Sequence, residues 1–139
     1  MNIKLRNTLG EIISASIAII WMYFKLNEAA TMSITSITQV LVLGIGISIL
    51  AAILLSIIIS IFSSIITGRY EKNVEDERDF MIELYAMRLS GVIFGISIVI
   101  ILGLLGWFNL HINFGIIAIT LSGFLASISS NFLKIYFYK

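Results

Sequence analysis

The sequence has no cysteine and no proline. Without cysteine there is no disulfide, no thiolate nucleophile and no cysteine-held metal. Without proline the helices carry no proline kinks. Charge is scarce too: Asp, Glu, Lys and Arg make up 12% of the 139 residues, about half the share of a soluble domain. The net charge is +1 and no basic stripe runs along the chain, so no nucleic-acid partner is expected. The single histidine, His111, sits between Asn109 and Asn113 with no acidic neighbour, which makes it a surface residue and not a metal ligand. No nucleophile–base pair and no phosphate-binding glycine loop is present. Neither an enzymatic activity nor a cofactor is expected.

Long apolar runs are what remains. The composition is 59% hydrophobic, and six of the eight acidic residues fall between Glu71 and Glu83. Four runs have spanning length, at about residues 8–24, 38–67, 90–108 and 112–132, since ~20 residues of helix cross ~30 Å of hydrocarbon. The second is longer than required and must tilt or protrude. The apolar run after Lys4 and Arg6 reads as an uncleaved span, because KLNEAAT is a poor cleavage site. The expected fold is all-α: one integral membrane four-helix bundle occupying residues 1–139, with a charged cytosolic helix over about 71–89 leading into the third span.

Lys and Arg are retained on the cytoplasmic side of a membrane. Lys4, Arg6, Arg69, Lys72, Arg78, Arg88, Lys134 and Lys139 fall on one side of a four-span arrangement, and only Lys25 on the other. Both termini are therefore expected in the cytoplasm, in a multi-pass protein of the cell (inner) membrane. Trp21, Tyr23 and Trp107 would anchor the outer interface, and Tyr70, Tyr136 and Tyr138 the inner one.

Every fourth residue of the second run is small: Gly44, Ser48, Ala52, Ser56, Ser60, Ser64 and Gly68. In lipid, small residues mark close helix contacts. A four-residue step turns 400°, so the row drifts ~40° per step. It should meet one helix near Gly44–Ala52 and another near Ser56–Ser64, which makes span two a candidate central helix. Gly10, Ser14 and Ala18 are a shorter version in span one, Gly91 and Gly95 in span three, and Ala118, Ser122, Ala126 and Ser130 in span four. Two readings of the hydroxyls stay open: Ser56, Ser60, Ser63, Ser64 and Thr67 line a polar path, or each bonds a carbonyl one turn back.

Thirteen uncharged residues, ~20 Å of helix, separate Glu11 from Lys25. At least one of these charges must lie near the hydrocarbon boundary. Lys25 can snorkel, whereas Glu11 is shorter and is the candidate ion or proton site. A carboxylate at headgroup level is the plainer alternative.

Helical spacing puts Glu75, Asp76, Asp79 and Glu83 on one face of the charged helix, with Met81, Tyr85, Leu89 and Val92 as an apolar row. Lys72 can pair with Asp76, and Arg78 with Glu75. Arg88 has no acidic residue three or four away. A solvated salt-bridged helix, a docking surface formed by Glu75, Asp76, Glu77, Arg78, Asp79, Glu83 and Arg88, and a divalent-cation site are the competing readings. Val74, Glu75, Asp76, Glu77 and Arg78, followed by Ile82 and Ala86, resemble the V-E-D-E-R-x-x-x-I-x-x-x-A signature of small predicted membrane proteins of bacteria and archaea with no assigned function. Such proteins are often encoded beside helix-turn-helix regulators, so the resemblance implies a regulatory or accessory role.

Two functions follow. The first is an accessory or regulatory membrane subunit whose charged helix docks a cytosolic or membrane protein. The second is a small homo-oligomeric transporter or channel that uses Glu11 and the serine row. The direction of Glu11 discriminates: toward the bundle in the second, toward lipid headgroups in the first.

Overall fold

The computed structural model describes residues 3–27, 31–67, 77–108 and 111–138. They form four helices: α1 (Ile3–Lys25), α2 (Ile34–Thr67), α3 (Glu77–Trp107) and α4 (Ile112–Tyr138). Each is long and apolar enough to cross a membrane, which is the mark of a multi-pass helical membrane protein. The helices outrun the expected spans for local reasons. Ser33 caps α2, its Oγ accepting from the Ser36 amide at 3.2 Å, so that helix starts at Ile34 and not at residue 38. From Glu77 onward the charged segment and the third span are one continuous helix through Ser90 and Gly91, and residues 71–76 of the expected charged helix lie outside the described residues. α4 runs on past Phe132 to Tyr138.

The register is antiparallel between neighbours. Gly44 lies against Met22 and Gly10 against Leu55 and Ile59, which sets α2 on α1. Gly115 meets Leu105, Gly123 faces the Phe94 ring, and Arg78 donates to the Phe137 carbonyl oxygen at 3.2 Å, which sets α3 on α4. α1 also packs on α4, and α2 touches α4 lightly; among the described residues α3 approaches no other backbone closely.

Span two is therefore not the central helix. α1 and α4 are, and the positions they bury are mostly small or polar: Thr8, Ser14, Ala15 and Ala18 on α1, Ser122, Ala126, Ser130 and Asn131 on α4. Those hydroxyls are satisfied within their own helices: Thr8 donates to the Lys4 carbonyl, Ser14 to Glu11, Ser122 to Ile119 and Ser130 to Ser127. On α2 the contact seam is Ile37, Leu41 and Gly44, then Leu55 and Ile59, a three-and-four spacing. The strict every-fourth row leaves that seam by drift. Gly44 is buried, Ser48, Ala52, Ser60 and Ser64 are half-buried, and Ser56 is exposed. Ser63 and Thr67 lie outside the described side chains, and Gly68 outside the described residues.

Gly91 and Gly95 make no close contact among the described residues: a Cβ on either meets nothing there within 4 Å. α3 turns Ile82 and Ala86 inward, and Gly91, nine residues after Ile82, lies half a turn away. Ala118 is half-buried.

One end of the bundle is tied by polar contacts that sequence reading missed. Asn113 is buried and donates to the Met32 carbonyl oxygen at 3.2 Å, joining the α1–α2 connection to the start of α4. Its Oδ1 is buried without a hydrogen-bond partner among the described residues. His111 is exposed, as expected, and its Nδ1 stands 3.4 Å from the Asn113 amide.

Candidate functional site: a groove open between α2 and α3

α2 and α3 flank the α1–α4 pair without closing on each other, and a groove of about 600 Å³ lies in the gap. All four helices line it. α1 gives Glu11, Ser14 and Ala15; α2 gives Ser48, Ile49 and Ala52; α3 gives Phe94; α4 gives Thr120, Gly123, Phe124 and Ser127. The small residues make the space: Ala15, Ala52 and Gly123 leave unfilled what larger side chains would occupy. The walls are mostly apolar. Of the polar lining, Ser14 and Thr120 donate to carbonyls of their own helices.

Glu11 is the one charged side chain in this lining. It sits two turns along α1 from Lys4, ~10 Å deeper into the bundle than that end. Its carboxylate is half exposed, and Lys134 of α4 approaches to 4.0 Å, the outer limit of an ion pair. The two charges attract, yet neither satisfies the other's hydrogen-bonding capacity at that distance.

The charged end of the bundle is knit differently. Lys4 Nζ meets Asp79 Oδ2 at 2.8 Å, with the two side chains only 11% and 19% exposed. Arg78 caps the α4 C-terminus through Phe137 O, where a cation also suits the helix dipole. The Tyr138 phenol stands within electrostatic reach of Lys4, Asp79, Glu83 and Glu11. Asp79 and Arg78, both counted in the candidate docking surface, are thus engaged within the chain. Glu77, Glu83 and Arg88 are exposed, and Glu75 and Asp76 lie outside the described residues, as do the expected Lys72–Asp76 and Arg78–Glu75 pairs. Among the described residues no cluster of His, Asp and Glu could hold a metal.

The tail of the signature-like stretch acquires a geometric meaning. Arg78, Ile82 and Ala86 are spaced four apart and share a face. Ile82 and Ala86 are buried, Arg78 reaches α4, and α4 is the helix against which α3 packs. The spacing describes an internal seam.

No protein-family model matches the chain, and no curated protein and no solved structure matches it.

Proposed function

We propose that this chain is a small carrier of the cell membrane, with both termini cytoplasmic, whose working site is the groove headed by Glu11. The observation that carries the reading is the direction of Glu11: it lines a space bounded by all four helices. The groove's open side, between α2 and α3, faces whatever surrounds the bundle, so in a bilayer an amphipathic molecule enters sideways and no through-pore is needed. The Lys4 end, where Arg6, Arg78, Arg88 and Lys134 also lie, is the cytoplasmic end by the distribution of positive charge. Transfer of fluorescent cationic, zwitterionic and anionic amphipaths between leaflets of reconstituted vesicles tests the function. The wild-type chain should accelerate transfer of at least one class. Glu11→Gln and Ala52→Phe, which fills the groove, should return it to the rate of empty vesicles. Equal rates for wild-type and empty vesicles refute the carrier reading.

A second reading keeps the accessory role but moves its surface. Opposite the buried Ile82 and Ala86, α3 exposes Phe80 at 62% and Met87 at 70%, flanked by Glu77 and Arg88. An apolar stripe edged by charge suits a partner helix. Photo-crosslinking from Met87 in native membranes should then capture one distinct protein; capture of lipid alone counts against it.

A further inference from the structure

We infer that the groove binds a phospholipid whose headgroup carries a primary ammonium, with that ammonium on Glu11 and the phosphate on Lys134. The inference rests on the carrier reading and names its substrate class.

Three observations converge. The first is shape. Along α4 the lining runs from Ile119 to Ser127, eight residues or ~12 Å of helix, and Glu11 stands at the Lys134 end of it. The cavity is therefore an apolar slot with charge at one end only. An acyl chain fits the slot between Ile49, Phe94 and Phe124, and a headgroup fits the charged end. The open side between α2 and α3 lets the remainder of the lipid stay in the bilayer.

The second is charge complementarity. A carboxylate and an ammonium held 4.0 Å apart form a side-by-side dipole. A zwitterionic headgroup presents the opposite dipole, its ammonium and phosphate separated by a short linker. Laid antiparallel, it gives Glu11 an N–H donor and Lys134 a phosphate oxygen, both charge-assisted bonds. The Lys4 ammonium is not the natural phosphate ligand, because Asp79 holds it at 2.8 Å.

The third is discrimination. A phosphatidylglycerol headgroup brings no cation to Glu11 and leaves the carboxylate facing a net negative charge. A quaternary ammonium keeps the charge but has no N–H to donate. The pair therefore selects the primary ammonium on two grounds, sign and hydrogen bonding.

The test uses the full chain carrying a benzophenone amino acid in place of Phe94, within the groove, or of Val99, which is 70% exposed on α3. Each protein is reconstituted in vesicles of equal parts phosphatidylethanolamine and phosphatidylglycerol, irradiated, and its lipid adducts weighed. Position 94 should capture phosphatidylethanolamine about 5-fold over phosphatidylglycerol, the selectivity of one net hydrogen bond. Position 99 should capture the two in their bulk ratio, which also reports insertion. Glu11→Gln, and separately Lys134→Gln, should bring position 94 to the bulk ratio. Capture at 94 in the bulk ratio by the unsubstituted groove overturns the headgroup assignment and leaves the carrier reading standing. Capture at 99 with none at 94 overturns both.

Discussion

Glycine substitution separates the packed seams from the open faces, and it does so by sign. At Gly44 an added Cβ stands 2.5 Å from both Cγ and Sδ of Met22. Met22 is 1% exposed and packs with Ile37 and Leu41, so it has little room to retreat. At Gly91 and Gly95 the same Cβ meets nothing within 4 Å. Replacing a mid-helix glycine by alanine stabilises the helix by ~0.5–1 kcal/mol. Overfilling a packed contact costs ~1–3 kcal/mol. Gly91→Ala and Gly95→Ala should each therefore gain ~0.5–1 kcal/mol. Gly44→Ala combines both terms and should come out neutral to ~2 kcal/mol destabilised. Gly115→Ala should fall between, because its Cβ meets the Cδ atoms of half-buried Leu105 at 2.8 Å, and branch ends can rotate aside. The measurement is unfolding of the purified protein in mixed micelles by increasing SDS. Fluorescence of Trp21, which packs against the Met22 cluster, reports it in a Trp107→Phe background. Equal gains at Gly44 and Gly91 would refute the close α1–α2 approach. A loss at Gly91 and Gly95 together would show that this face packs on something, and a second copy of the chain would be the first candidate.

The Lys4–Asp79 bridge links α1 to α3 across the bundle, and the low exposure of both groups makes it stronger than a surface pair. Asp79→Asn or Lys4→Met should lower stability by ~1–3 kcal/mol, and the exchanged pair Lys4→Asp with Asp79→Lys should recover most of it in a double-mutant cycle. Additive losses with no recovery would mean the two charges act on other groups. In the carrier assay, Asp79→Asn should leave transfer intact at temperatures where the bundle is folded, since Asp79 is not in the groove lining; loss of transfer there would place the charged end in the transport path.

The number of helices, their class and their approximate places were legible because each run is long, apolar and bounded by charge or by a polar connection. Helix ends were less so. Ser33 as a cap was readable from its type, but a hydropathy window averages across it. The choice of central helix failed for a physical reason. The drift of the small-residue row on α2 implies a second neighbour near Ser56–Ser64, yet α2 packs mainly on α1 alone, and Ser56 ends up exposed. Gly91 and Gly95 meet no helix among the described residues: close spacing supplies the capacity for close approach, and only the position of the partner decides whether it is used. The buried role of Ile82 and Ala86 was visible as a four-residue step but not as a direction. Glu11 was singled out from its distance to Lys25. Its companion Lys134 was not, because 123 residues separate them and nothing local links the two.

A different signal in the sequence would have found the centre. From least to most apolar the helices run α1, α4, α3, α2, and burial runs the opposite way, greatest for α1 and least for α2 and α3. In water that order would be perverse, since the most apolar element belongs inside. In a bilayer it is the expected one. Hydrocarbon already solvates Ile and Leu, so burying them gains little, whereas Thr8, Ser14, Ser122, Ser130 and Asn131 are costly against lipid and are buried within the bundle on α1 and α4. The same logic locates the site. A carboxylate on the most buried helix, half exposed and lining the groove, is held where a bilayer would otherwise make it costly. The groove keeps Glu11 beside Lys134 and open to an incoming cation, and so the residue that least suits the surrounding solvent is the one placed to recognise something dissolved in it.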